Sequence, residues 1–369
     1  MLKIEKPEWK GSISACMIVK DEEAVLEECL SSISNWVDEI IIVDTGSTDK
    51  TVSIAEKYGA KIYHQKWAND FSLHRNYSIS KATKEWVFII DADERVVKGH
   101  GENIKKMLPE IKQDVIVVDM HNLYRVNGKY QPRGHFRSYR FFRLSYGPSY
   151  EQRVHNHPVI KDKTTVLVLP FTMHHIGYDL PPEGMAKKKE RLVRMCREWA
   201  EREPENPEAL FHLTRALRYN HGKPNHEGFP EIVKILEKII GMGQVNGDIN
   251  NIYIQSLSMI AWIKYTMAAK LQKESKGTVN WEEIVSYAKK AIALKPDYLD
   301  PTLLLGFVYS LGQDIKEAER WFYRYLRLQE AYADTVVVDQ IDTAFTHERI
   351  TALKGLIDIE EWKERQFVS

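Results

Sequence analysis

Between residues 12 and 93, four short apolar runs alternate with stretches of helical period, which restricts this part of the chain to a mostly parallel sheet with crossover helices. Residues 13–19, 39–43, 61–64 and 86–90 have the length and apolar character of strands, and 22–32, 49–58 and 71–82 have the period of helices. Gly59 stops the second helix. Open parallel sheets bind ligands at the carboxyl ends of their strands. That rule singles out 20–22, 44–48 and 91–94, and each of these segments holds acidic residues.

From 115 to 169 the texture changes to strands separated by turn signals such as Asn127-Gly128, an antiparallel or mixed continuation of the sheet. From about Pro182 onward the pattern is helical almost throughout. A chain of 369 residues is too long for one ordinary core, which rarely grows far beyond about 250. The boundary is expected near Pro181-Pro182, giving domains 1–181 and 182–369. The second half carries a weak repeat of helix pairs. Its clearest copy runs through Ala288, Ala291, Leu294 and Pro296 to Leu305, Gly306, Ala318 and Phe322, and a poorer one starts at Asn206-Pro207. Small residues at Gly306 and Ala318 allow paired helices to approach closely. These units resemble tetratricopeptide repeats.

Lys+Arg and Asp+Glu are equal at 52 each, so no long-range field draws the molecule to nucleic acid. The three cysteines, Cys16, Cys29 and Cys196, lack zinc or disulfide spacing and suit a reducing cytoplasm. The N-terminal sequence lacks an apolar signal region, and no run reaches the ~18 apolar residues of a membrane span. The expectation is a cytoplasmic protein, with docking at the inner face of the membrane left open.

The run 86–90 leads straight into Asp91-Ala92-Asp93-Glu94. Carboxylates this close repel one another, and a divalent ion such as Mg²⁺ or Mn²⁺ resolves the conflict. Such an ion bridges the phosphates of a nucleoside diphosphate and neutralises a departing one. A solvated acidic loop capping the next helix is the plainer reading of these four residues.

The motif does not stand by itself. Ile-Val-Lys-Asp-Glu (18–22), Ile-Val-Asp-Thr-Gly-Ser-Thr-Asp-Lys-Thr (42–51), Phe-Ser-Leu-His-Arg-Asn (71–76) and Phe-Ile-Ile-Asp-Ala-Asp-Glu (88–94) occur in that order. Together they closely resemble the inverting family 2 glycosyltransferases. The resemblance implies an α/β fold of the GT-A, Rossmann-like nucleotide-diphospho-sugar transferase class, followed by an all-α tetratricopeptide-like domain. It places a UDP-sugar donor against Val19, Lys20, Glu22, Asp44, Arg75, Asp91 and Ala92, with Asp44 on the base, Glu22 by the nucleoside and Arg75 closing the pocket. Asp93 becomes the direct metal ligand and Asp91 lies near ribose and metal. The same segments admit plainer roles, 46–49 as a turn and N-cap and Arg75 as a bridge between helices.

Arg140-Phe141-Phe142-Arg143, Glu151-Gln152-Arg153-Val154-His155-Asn156 and His174-His175-Ile176-Gly177-Tyr178 extend the similarity to a bacterial subgroup that includes peptide and bacteriocin glycosyltransferases and enzymes of surface-polysaccharide assembly. Asn156 stands where that subgroup usually has Glu, and an amide cannot take a proton at neutral pH. Glu151, His155 and Asp179 are the candidate bases. His175 is the candidate third metal ligand, with His155 and His174 as rivals. Lys187-Lys188-Lys189 with Arg191, Arg194 and Arg197 reads as the solvated face of a helix, or as a contact for an acidic acceptor or lipid phosphate.

The function implied is inverting transfer from a metal-bound UDP-sugar to a peptide or protein side chain, Cys or Ser, lying between the catalytic domain and the repeats. Transfer to a surface polysaccharide or lipid-linked glycan is the alternative, and a non-catalytic scaffold with a decayed transferase domain is a third. The helical half is expected to grip the acceptor or to pair two subunits.

Overall fold

The structure is a computed structural model that describes residues 10–126, 128–177, 182–220, 223–224, 226–243, 249–274, 279–333, 356 and 359–360. It divides into two compact units, Met1–Lys188 and Lys189–Ser369.

The first unit begins with β1 (Ile13–Val19), α1 (Leu26–Ile33), β2 (Glu39–Asp44), α2 (Thr51–Lys57), β3 (Lys61–His64), α3 (Phe71–Ile79) and β4 (Trp86–Ile89). It continues through β5 (Glu94–Val96), α4 (His100–Met107), β6 (Val115–Val126), β7 (Lys129–Arg143), β8 (Tyr150–Glu151), β9 (His157–Pro158) and β10 (Val166–His175). Eight of these strands form one mixed sheet in the order β3-β2-β1-β4-β7-β6-β10-β5. β1 has parallel neighbours on both sides, β2 and β4, so the order reverses there and a crevice opens at the ends of β1, β2 and β4. The predicted antiparallel continuation is the long β6–β7 hairpin, with β10 laid parallel to β6 and β5 closing the edge.

The order of strands has a direct consequence for the acidic segment. β4 is central and β5 is the far edge strand, so the few residues between Ile89 and Glu94 cross the strand ends that separate them. Both faces of the sheet at β4 are apolar. One face packs Leu26, Leu30 and Ile33 of α1 over Met17, Phe88 and Phe141, with the Phe88 and Phe141 rings stacked at 4.4 Å. The other sets Ile79 of α3 over Cys16, Ile41 and Val87. Each such side chain contributes roughly 1.5–3 kcal/mol by leaving water, which fixes the strand ends on which the carboxylates stand.

Helix α1 starts at Leu26 rather than Glu22, because Asp21 adopts φ 55° and the Glu22 carbonyl accepts from Val25 and Leu26 N–H in a turn. Helix α3 ends at Ile79, short of the expected 82, and the chain beyond it is tied down by a buried carboxylate. Glu39 accepts from Ser14 Oγ, from Lys61 Nζ at 2.6 Å and from the backbone N–H and hydroxyl of Thr83, joining β1, β2, β3 and the approach to β4.

The second unit holds most of α5 (Pro182–Arg202), then α6 (Pro207–Leu217), α7 (Phe229–Gly241), α8 (Ile249–Lys273), α9 (Trp281–Leu294), α10 (Leu299–Leu311) and α11 (Ile315–Ala333), with one two-residue strand pair after α6. Asn206 and Asn280 cap α6 and α9 by accepting backbone N–H bonds. The expected close approach is present. A Cβ on Gly306 would stand 2.5 Å from the Phe322 ring, and Ala318 is fully buried beside it. No described helix is long and apolar enough to cross a membrane.

Glu39 yields a prediction. Burial opposes its charge, but its hydrogen bonds from Lys61, Ser14 and Thr83 outweigh that and lower its pKa from 4.5 to about 2. A depressed folded pKa stabilises the protein above pH about 4.5 and ceases to as pH falls toward about 2. Glu39→Gln is expected to cost up to about 3 kcal/mol at neutral pH and to flatten the pH dependence of denaturant unfolding across that window. Equal slopes in the two proteins would remove this network from the stability of the sheet.

Candidate functional site

Loops, not helices, present the first two acidic segments, and they are laced together. Asp21 accepts from the Thr48 N–H at 2.7 Å, Ser47 Oγ accepts from the Asp21 N–H at 2.9 Å, and Thr51 Oγ1 accepts from the Glu22 N–H at 2.7 Å. Val19 is buried, its carbonyl accepting from Thr45, whereas Lys20 is exposed. Asp44, 4 % exposed, accepts from Ser47 N–H at 3.0 Å and Gly46 N–H at 3.3 Å and meets His64 Nδ1 at 3.1 Å. Burial opposes the charge on Asp44, and these bonds overcome it and hold the carboxyl below its ordinary range. Asp44 is therefore an ionised acceptor under the 45–48 turn. The Ser47 hydroxyl adds a further bond to the same carboxylate.

The motif in α3 serves two neighbours at once. Arg75 Nη2 donates to Asp91 at 3.0 Å, and its guanidinium lies 5.2 Å from the Tyr150 ring centroid. Asn76 exchanges two bonds with the Tyr150 backbone, donating at 2.8 Å and accepting at 2.7 Å. Phe71 N–H donates to the Arg153 carbonyl at 3.0 Å. Helix α3 thus fastens the segment that carries Glu151 to the residue that holds Asp91.

At the acidic crossing, two buried arginines answer the carboxylates. The β6–β7 register slips between Ile116 and Val117, which pair with Phe141 and Tyr139, so Arg140 is the extra residue of a bulge. Bulges redirect side chains. Arg140 donates to Glu94 at 2.6 Å and to the Ile89 carbonyl at 3.4 Å, and stands 4.0 Å from Asp91. Glu94 in turn accepts from the Asp91 backbone N–H at 2.9 Å. Burial favours neutral Asp91, but Arg75 and Arg140 outweigh it and keep this carboxyl below its usual range. Burial pushes Glu94 up, Arg140 works against that, and Asp91 and Asp93 add to it. Ala92 is buried and its carbonyl accepts from Arg95 at 2.8 Å.

Asp93 faces a different neighbourhood. His175 Nε2 is 3.4 Å from Asp93 Oδ2, while His175 Nδ1 bonds Asn122 Oδ1 at 2.9 Å. An amide oxygen only accepts, so Nδ1 carries a proton, and in the neutral ring the Nε2 lone pair is turned toward the carboxylate oxygen. In that form a cation between the imidazole and the carboxylate would bridge two acceptors. An oxygen and an imidazole suit Mn²⁺ or Mg²⁺ completed by ligand phosphates. Among the described residues no three His, Cys, Asp or Glu side chains form a cage by themselves. Gly177 leaves the room: a Cβ there would stand 2.0 Å from Asp93 Oδ2 and 2.7 Å from His175 Nε2.

The histidine rivals are separated by the strand. His174 alternates to the face of β10 opposite His175, where it pairs in register with His121 and has its ring 6.1 Å away, so it is removed as a ligand beside Asp93. His155 is exposed at φ 53°. Glu151 is exposed and pairs with His157 Nε2 at 3.1 Å. Asp179 lies outside the described residues. Sequence reasoning missed Asn122, His64 and the bulged Arg140. Only the last had a signal, the Arg-Phe-Phe-Arg motif. It also read Lys188 as part of a solvated face, whereas its Nζ donates to the Gly177 carbonyl at 3.1 Å.

Gly177→Ala is expected to displace the Asp93 carboxylate and weaken Mn²⁺ binding by roughly tenfold or more, with the fold retained by circular dichroism. Unchanged Mn²⁺ affinity would separate Gly177 from the Asp93–His175 pair.

Residues 14–166 match the model of glycosyl transferase family 2. The chain is 32 % identical over 219 residues to the SPbeta prophage-derived glycosyltransferase SunS of Bacillus subtilis, an alignment covering 56 % of this chain and 49 % of that protein. It is 49 % identical over 100 residues to a TPR repeat-containing protein of Synechococcus elongatus, covering 27 % of this chain and 25 % of the other. A crystal structure of S. aureus TarS 1–349 in complex with UDP aligns over 78 % of this chain and 89 % of that one, at 17 % identity and a TM-score of 0.39. The chain thus spans between a quarter and about half the length of these two curated relatives. Residues 14–166, which include the acidic crossing between β4 and β5, thus form the part of the chain that matches glycosyl transferase family 2.

Proposed function

We propose that the chain is an inverting glycosyltransferase that moves a sugar from a metal-bound UDP-sugar to the Cys or Ser side chain of a peptide or protein. The observation that carries this reading is the gathering of Asp44, Arg75, Asp91 and Asp93 at the ends of β1, β2 and β4, the crevice of the sheet.

In this reading Asp44 accepts from the base of the nucleotide, with Val19, Lys20 and Glu22 along its nucleoside. Asp91 is positioned toward the ribose by Arg75 and Arg140. Asp93 and His175 hold Mn²⁺ or Mg²⁺. The ion, when bound, neutralises the leaving diphosphate. An inverting transfer also needs a base on the face opposite that diphosphate. Glu151 is favoured over His155 and Asp179, because its neighbour Tyr150 is packed on Arg75 and bonded to Asn76. Asn156 cannot serve. A thiol acceptor would ask little of the base, since Cys ionises near pH 8.5. The helical unit is assigned to recruiting the acceptor, as stacked helix pairs commonly do.

UDP release from UDP-sugars should require Mn²⁺ or Mg²⁺ and fall roughly hundredfold or more in Asp93→Ala. Turnover that persists in this variant and in EDTA would contradict the donor assignment. Offered a Cys- and Ser-containing peptide and a polysaccharide acceptor with labelled donor, the protein should label the peptide. Label confined to the polysaccharide would favour a glycan acceptor with the same donor chemistry. Absence of any donor turnover under all conditions would favour a scaffold.

A further inference from the structure

We propose that Lys188 is a resident counter-ion of Asp93. In the donor-free protein it competes with the divalent ion, and when the nucleotide-sugar binds it turns to the diphosphate. This deepens the donor reading above and depends on it only for the identity of the diphosphate.

Charge matching around the acidic crossing leads to Lys188. Arg75 bonds Asp91 through Nη2, its Nε and Nη1 being buried without a partner, and Arg140 bonds Glu94 with Asp91 at 4.0 Å. Among the described residues neither guanidinium pairs with Asp93, which leaves the third carboxylate to other groups. Lys188 Nζ stands 3.9 Å from Asp93 Oδ2, the same oxygen that His175 Nε2 approaches at 3.4 Å. Its ammonium is held there by the Gly177 carbonyl at 3.1 Å. Successive residues of a helix point about 100° apart, so one lysine of the three-residue run faces Asp93. Lys187 is exposed, and Lys189 has its ammonium buried with no protein partner. Lys188 keeps 39 % of its side chain accessible, enough freedom for its three donors to shift to a new anion.

A single ammonium balances a single carboxylate. A divalent ion arriving alone at Asp93 therefore meets a positive neighbour. A diphosphate arriving with the ion supplies the negative charge for both cations. The arrangement makes metal and nucleotide bind with positive coupling, and it keeps the donor-free site from retaining metal tightly.

The test compares wild type, Lys188→Met, Lys188→Gln and Lys188→Arg as full-length proteins of matched thermal stability. Two binding constants are read: Mn²⁺ alone by electron paramagnetic resonance, and UDP at saturating Mn²⁺ by calorimetry. In Lys188→Met and Lys188→Gln, Mn²⁺ alone should bind roughly thirtyfold tighter, the effect on a divalent ion of removing a unit charge about 4 Å away in water-like surroundings. UDP should bind roughly tenfold weaker in the same proteins. Lys188→Arg should stay near wild type in both. A merely structural role would move both constants the same way. Mn²⁺ binding that is weaker in Lys188→Met and Lys188→Gln, unchanged, or absent from every protein overturns the counter-ion role. UDP that fails to bind wild type refutes the nucleotide-sugar reading instead, and the Mn²⁺ series still decides the Lys188–Asp93 competition.

Discussion

Like charges at Asp91, Asp93 and Glu94 would drive apart the segment that carries them, and much of the first unit acts to prevent it. Arg75 comes from a helix on one face of the sheet, and Arg140 is turned in by a bulge in the neighbouring hairpin. Both lie buried, where a charge persists only if paired. Glu94 then reaches back to the Asp91 backbone, so the crossing is fixed from its own far end. Removing Arg140 would leave the buried Glu94 carboxylate without its match, a loss that typically costs about 3–5 kcal/mol.

This balance divides the carboxylates by task. Asp91 and Glu94 are committed to arginines and are structural as much as functional. Asp93 is held by lighter partners, an imidazole and an ammonium at 3.4 and 3.9 Å, which an incoming cation can replace. In the proposed reading the tight pairs keep the strand ends in place and the loosely paired oxygen is the one open to exchange. His175 depends on Asn122, a side chain on another strand, for the tautomer that suits it to the exchange.

What was legible in the sequence was whatever depends on local period and on contiguous motifs. The parallel strands, the acidic ends and the helical second half follow from spacing. Close approach at Gly306 follows from residue size. Long-range register was not legible. Whether His174 or His175 faces Asp93 is decided by how β10 pairs with β6 and β5, and a one-residue shift would exchange them. The bulge that aims Arg140 likewise depends on a partner strand, although the Arg-Phe-Phe-Arg motif marked the place. Lys188 was hidden for the opposite reason. Its run has the composition of a solvated face, and only the position of Gly177 brings one of its members to a carboxylate.

The central claim is that the crevice at the ends of β1, β2 and β4 takes a uridine diphosphate with its metal. A crystal structure of the protein with UDP and Mn²⁺, with anomalous data at the manganese edge, tests it most directly. The account predicts the uracil ring against Asp44 and one anomalous peak within bonding distance of Asp93 and His175. A nucleotide bound elsewhere, or a peak away from Asp93, would contradict it.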